Sequence, residues 1–262
     1  MKRSTINISG LRWLLAFAIV LFAILSCDNT PTDQGPLWEK FWTVVYETQE
    51  SLGQIFFVSN DEAWIVSSQH NMLHYVNGEF ITVSIPDSVY AQSNYILTRC
   101  SFSDPDHGWA VGTNGNASAV IYRYLYGSWT EQPPLPNSNY RLLRCRDVVA
   151  VANDDVWVSG GQLDLGIGYA WHFNGLEWSR YELPQEGERL YFRSSNDGYV
   201  CKASSYLTQA ILRWDGTSWG NPIYYSSNSP VYAIAFDANG RGFVTSYGGI
   251  GDYYGIYEIV GN

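Results

Sequence analysis

Charge is scarce in this chain, and positive charge most of all: 15 Lys and Arg stand against 25 Asp and Glu in a sequence only 15% charged. Proteins hold nucleic acids by neutralising phosphates with Lys and Arg, so a nucleic-acid partner is excluded, and so is electrostatic docking on an anionic lipid surface. Cysteine is almost as sparse. Cys100, Cys145 and Cys201 follow Cys27 at spacings that match neither a zinc motif nor a redox pair. In an oxidising compartment one disulfide plus one buried thiol is open to them, and buried, inert thiols are expected. No glycine-rich loop follows a strand and opens a helix, so nucleotide binding has no support. None of the Asp-rich turns has the twelve-residue pattern of a calcium loop. His70 and His74 have a spacing that joins metal ligands on a helix, but here they straddle a connection between strands. No metal and no cofactor is expected.

Long apolar runs are also missing, with one short exception. Lys2, Arg3 and Arg12 precede an uncharged stretch from Trp13 to Leu25, which ends at Ser26-Cys27. This reads as a signal peptide, since the stretch falls short of the ~20 residues that span a bilayer and its polar sequel, Asp28-Asn29-Thr30-Pro31, does not stop transfer. Ile24-Leu25-Ser26-Cys27 resembles the bacterial lipobox, which implies lipidation of Cys27; secretion with an unmodified Cys27 is the alternative. The expected organisation is a signal peptide over 1–26, a lipidated tether over 27–37 and one folded domain over 38–262. Losing the three basic residues takes the formal charge from −10 to −13, so the mature surface is acidic.

What the chain has in plenty is aromatic side chain (16%) and glycine (24 residues), which favours short strands joined by tight turns. A repeat organises them. Five segments align without a gap: Ile55–Trp64, Cys100–Trp109, Val148–Trp157, Leu190–Tyr199 and Ile234–Phe243. A repeat of 40 to 50 residues is what propeller blades produce. The first and third positions of most segments are apolar, the period-2 mark of a strand with one buried face. Asn, Asp and Gly follow as turn formers, and then a second strand opens at the aromatic residue. A second hairpin per unit is marked by Asn77-Gly78, Tyr126-Gly127, Asn174-Gly175 and Asp215-Gly216. Each unit therefore holds four strands. The fifth lacks its last one, and Trp42–Glu47 resembles such a strand in Trp178–Leu183, so the N-terminal segment is expected to complete the last blade and leave no open edge.

The recurring Asn/Asp, Gly, Trp, Val pattern, followed by Asp/Asn-Gly and Trp, resembles bacterial exported propellers of the sialidase-like and plant photosystem-assembly-factor-like repeat superfamily, over about residues 38–262. The resemblance implies an all-β, five-bladed β-propeller of four-stranded antiparallel blades. The Asp-box spacing of sialidases, Ser-x-Asp-x-Gly-x-x-Trp, is not met by any repeat.

Binding residues in such a frame concentrate on its variable loops. Those loops carry Tyr90, Asn114, Asn116, Asp164, Tyr206, Asp252, Tyr253 and Tyr254, with Asn139 and Gln162 beside them, and rings with amides can stack on and hydrogen-bond a sugar or a peptide. Arg99, Arg144 and Arg193 lie ten, thirteen and six residues before their aromatic, so they are not expected to converge. Asp104 with Asp106, and Asp154 with Asp155, read as turn formers. The expected function is a membrane-anchored extracytoplasmic binding or scaffolding module, periplasmic or on the cell surface, for an envelope protein or a glycan. The alternatives are a glycan-active hydrolase or lyase, and a subunit of an envelope complex; catalysis is the less favoured reading.

Overall fold

The computed structural model describes residues 43–67, 71–86, 95–114, 118–136, 143–162, 165–184, 186–201, 209–226, 231–247 and 254–259. The chain divides into two compact units, 1–47 and 48–262. In the first, residues 43–47 form no strand.

The second unit consists of antiparallel sheets that follow one another along the chain. Sheet I holds β1 (Leu52–Ser59), β2 (Glu62–Ser67), β3 (Asn71–Val76) and β4 (Glu79–Ser84). Sheet II holds β5 (Tyr95–Asp104), β6 (His107–Asn114), β7 (Ala119–Leu125) and β8 (Ser128–Glu131). Sheet III holds β9 (Leu143–Ala152), β10 (Asp155–Gln162), β11 (Ile167–Phe173) and β12 (Trp178–Leu183). Sheet IV holds β13 (Arg189–Ser194), β14 (Asp197–Cys201), β15 (Gln209–Trp214) and β16 (Tyr224–Ser226). Sheet V has three strands among the described residues: β17 (Val231–Phe236), β18 (Gly242–Tyr247) and β19 (Tyr254–Ile259). Every sheet is a meander, in which each strand pairs with its neighbour in sequence.

Local chemistry sets the hairpins. Asn77 and Gly78 have φ of 53° and 89°, and Tyr126 and Gly127 of 46° and 90°; two consecutive positive values make the turn whose twist matches the flanking strands. In the first hairpins the turn carboxylates bond their own backbone, as when Asp104 Oδ1 accepts from Asp106 N at 2.9 Å. One strand departs from the expected pattern. Trp219 makes only an isolated bridge to Trp214, and pairing resumes at Tyr224. Pro222, which has no N–H to give the ladder, stands in the gap.

The core lies between sheets. First strands of consecutive sheets are neighbours, β1 with β5, β5 with β9, β9 with β13 and β13 with β17, and each junction encloses its own buried cluster. At each junction the aromatic residue at the third position of the second strand of one sheet, rather than at its opening, enters the next sheet. Trp64 stacks on Phe102 at 5.6 Å and meets Trp129 edge-on. Trp109 meets Phe173 and Trp178. Trp157 meets Phe192, Trp214 and Trp219, and Tyr199 meets Phe236 at 4.7 Å. A buried Trp removes roughly 150–250 Å² from water, about 4–6 kcal/mol at 25 cal/mol per Å² before ordering costs.

The Gly before the aromatic has a steric reason. A Cβ on Gly108 would lie 2.3 Å from the ring of Phe102, and one on Gly198 2.2 Å from that of Phe192. The phenylalanine ring of the first strand lies flat across the glycine opposite it. In sheet III the cross-strand partner is Ala150, and Val156 takes the glycine's place.

Candidate functional site

Most of the loop residues expected to bind a ligand, Tyr90, Asn116, Asp164, Tyr206, Asp252 and Tyr253, lie outside the described residues. So do Asn139, Cys27 with the whole of 1–42, and His70. Asn114 closes β6 and Tyr254 opens β19, and their side chains also lie outside the described part. Gln162, at the end of β10, is buried, and among the described residues its Oε1 meets no donor.

The described residues bring a different set together. The residue ten positions before the aromatic of each repeat is Gln54, Arg99, Asp147, Arg189 and Ala233 in turn. These stand on the first strands, which neighbour one another, so residues far apart in sequence meet across the junctions. Gln54 Oε1 accepts from Cys100 N at 2.8 Å, tying β1 to β5. Asp147 Oδ2 accepts from Leu190 N at 2.9 Å, tying β9 to β13, while its Oδ1 accepts from Val148 N. Between β5 and β9 a neighbouring position does the same work: Ser101 Oγ accepts from Ala150 N at 3.0 Å. Sheets I, II and III thus each offer a side-chain acceptor to a backbone amide of the next sheet.

Charge gathers around Asp147. Arg99 Nε is 4.0 Å from its Oδ1, and Arg99 Nη1 donates to Thr98 O at 2.7 Å. Arg146 Nε donates to Glu186 Oε1 at 2.9 Å, and its Nη2 is 4.0 Å from Glu188 Oε1. Arg189 Nη1 donates to Glu188 O. Burial pushes the Asp147 carboxyl up to about 6, against the pull of the Leu190 amide, Arg189 and Arg99. Burial and the nearby Arg189 cation lower the Arg99 guanidinium from its ordinary value. The cluster has three cations, Arg99, Arg146 and Arg189, and three acids, Asp147, Glu186 and Glu188. Arg99 and Arg146 keep 23% and 28% of their side chains exposed, so their remaining N–H groups can reach a ligand.

Arg193 and His74, also singled out in the sequence, have structural partners. Arg193 pairs with Asp197 at the turn end of sheet IV, and Asp197 also takes Arg213. His74 lies 2.8 Å from Glu62 Oε1 and stacks on Trp64 at 4.1 Å; His172 repeats the arrangement with Asp155 and Trp157. Among the described residues no group of His, Cys, Asp and Glu is placed to hold a metal. Cys100, Cys145 and Cys201 are free and buried, and burial pushes the thiols of Cys145 and Cys201 up to about 12.

No protein-family model and no curated protein matches the chain. Solved structures do. "YCF48 bound to D1 peptide" is similar at 17% identity and a TM-score of 0.59, over 79% of this chain and 65% of that one. The extracellular domain of the hybrid two-component system BT4673 from B. thetaiotaomicron is similar at 11% identity and a TM-score of 0.56, over 84% of this chain and 28% of that one. The fucose-specific lectin from Aleuria aurantia, a β-propeller, is similar at 11% identity and a TM-score of 0.52, over 82% and 80%. This chain therefore spans less than two thirds of the YCF48 chain. The likeness establishes the fold: antiparallel sheets in succession, packed face to face as in β-propellers.

Proposed function

We propose that this protein is an extracytoplasmic binding module, held to a bacterial membrane through lipid on Cys27, and that the charged belt on its first strands receives an extended polypeptide. The anchor reading rests on the sequence of residues 1–27. The domain is read as a five-bladed propeller. The observation that carries the binding reading is the grouping of Arg99, beside the buried Asp147, with Arg146, beside Glu186, on neighbouring first strands, with both guanidinium groups partly exposed. Guanidinium groups recognise carboxylates and carbonyl oxygens with directional N–H donors. Glu186 and Glu188 offer acceptors for backbone amides beside them. A peptide with acidic side chains or a free carboxylate end fits this alternation, and the structure of YCF48 bound to D1 peptide is a precedent for peptide binding on a similar fold.

A glycan is the second reading, supported by the likeness to a fucose-specific lectin and by the Tyr, Asn and Asp residues of the loops. The test is a peptide array and a glycan array probed in parallel with the mature chain. Acidic extended peptides should bind, and the double variant Arg99→Gln/Arg146→Gln should weaken that binding at least about tenfold, the loss of about 1.4 kcal/mol. Peptide binding untouched by the double variant removes the belt from consideration. A glycan hit with no peptide hit transfers the function to the loops.

A further inference from the structure

Arg99, Asp147 and Arg189 hold the same register on three neighbouring first strands, β5, β9 and β13, so one acid stands between two bases. The acid is occupied by the backbone. Its oxygens accept from Val148 N and Leu190 N at 2.9 Å each, and Arg99 Nε stays 4.0 Å away, beyond hydrogen-bond reach. Each arginine instead donates to the carbonyl of the residue before it, Arg99 Nη1 to Thr98 O at 2.7 Å and Arg189 Nη1 to Glu188 O at 2.8 Å. A guanidinium has five N–H donors, and among the described residues neither group is bonded to a second acceptor. The two cations also act on each other, since Arg189 is second only to burial among the causes that lower the Arg99 guanidinium from its ordinary value. Both residues are partly exposed, so their unused donors face a place that an anion can enter.

We propose that Arg99 and Arg189 together bind one small anionic group, a free inorganic ion or a carboxylate carried on a peptide, and that proton uptake by Asp147 admits it. The inference rests on the reading of this belt as a binding surface and adds what regulates it. With all six groups of the belt ionised, Arg99, Arg146 and Arg189 cancel Asp147, Glu186 and Glu188, and an arriving anion meets Asp147 as a like charge. A proton on Asp147 leaves one positive charge in excess. Burial holds this carboxyl at about 6, so its charge changes between pH 5 and pH 7.5. The other charged or titratable groups around it are Arg99 and Cys100 on β5, Arg146 and Cys145 on its own strand, Glu186, Glu188 and Arg189 at and before the start of β13, and Cys201 on β14. Burial raises all three thiols, which keeps them neutral over this range. On β10 the residue opposite is Ser159, and β6 and β7 meet β9 through Trp109, Val111 and Ile121. A bound anion favours the protonated acid, and by reciprocity the protonated acid favours the anion, so affinity rises as pH falls.

Chloride is the probe, because its own charge does not change over this range, and chloride NMR line broadening of the mature chain reads its binding. With only the protonated form competent, binding at pH 5 should be roughly ten- to thirtyfold tighter than at pH 7.5. Chloride added to weakly buffered protein at pH 6.5 should draw in roughly half a proton or more for each ion bound, read with a pH electrode. Arg99→Gln/Arg189→Gln should abolish both signals. Asp147→Asn should bind chloride with the same affinity at both pH values; if that variant does not fold, proton uptake by the parent decides. Absence of chloride binding at either pH, equal affinity at both, binding without proton uptake, or binding that survives the double arginine variant overturns the inference. An acidic peptide run alongside separates this outcome from the fate of the belt. Peptide binding that is lost in Arg99→Gln/Arg146→Gln but equal at both pH values keeps the belt and removes its proton gate. Chloride binding with proton uptake but no peptide binding keeps the gated site and assigns it to a free ion.

Discussion

Asp147→Asn is the most informative single substitution, because its effect should depend on pH in a direction opposite to ordinary acid denaturation. The carboxyl is buried and accepts from two backbone amides, Val148 N and Leu190 N, and burial raises it from 3.8 to about 6. A folded-state value above the unfolded one means that the native state binds the proton more tightly. The stability that this group contributes is full below about pH 3.8 and is lost as pH rises through about 6. Between pH 4.5 and pH 7 the loss is about 2 kcal/mol by that linkage. Asparagine does not titrate, so the difference in unfolding free energy between parent and variant should shift by about 2 kcal/mol across this range, with the parent gaining on the acid side. A constant offset is also expected, about 1–3 kcal/mol against the variant, because its amide nitrogen cannot accept one of the two backbone protons. Urea unfolding at half-unit pH steps reads both quantities. A difference that stays flat with pH would refute the assignment of a buried, proton-retaining carboxyl at this position.

Three further outcomes follow from the packing. Trp157→Ala should cost about 3–5 kcal/mol in equilibrium unfolding, since the ring is fully buried against Phe192, Trp214 and Trp219; a cost below about 1 kcal/mol contradicts the junction described. Gly198→Ala should destabilise by about 1–3 kcal/mol because its Cβ meets the Phe192 ring, and the additional change Phe192→Ala should recover part of that loss, as Ala150 opposite Val156 already does in sheet III; strict additivity of the two changes argues against the contact. A thiol reagent should leave Cys100, Cys145 and Cys201 unmodified in native protein and titrate them on unfolding, with prompt native reaction as the contrary result.

Much of the frame was legible because it is written in short-range chemistry. Asn77-Gly78 and Asp215-Gly216 name their turns, and alternation such as Cys100, Phe102 against Ser101, Ser103 names a strand; in β1 the same rule points to Ile55 and Phe57, yet there the exposed residues are those two and Phe56 packs on the core. The start of β16 is not legible in this way, because the Asp215-Gly216 signal speaks for the turn alone, while Pro222, seven residues past Asp215, stands where the ladder is interrupted before Tyr224. The belt was missed for another reason. Comparing arginines with arginines set Arg99 beside Arg144 and Arg193, which stand in other registers. Reading down one register instead gives Gln54, Arg99, Asp147, Arg189 and Ala233, where the residue type changes at each repeat and only the position is shared. Arg189 was available by that signal. The pKa shift of Asp147 was not, since it depends on burial that several distant strands create together.

The acceptors that run from Gln54 to Cys100, from Ser101 to Ala150 and from Asp147 to Leu190 all point the same way along the chain. Sheets II and III therefore each carry half of the joint to the predecessor, as an amide, and half of the joint to the successor, as a side chain. The acceptor stands ten places before the aromatic residue in sheets I and III and eight places before it in sheet II, so each joint is cut to its own neighbour: removing the unit of sheet II would set Ala150 N against the register of Phe56, which has no acceptor to offer. Copying or losing a whole unit can keep the aromatic packing, but the new neighbours must re-match a side chain at the seam.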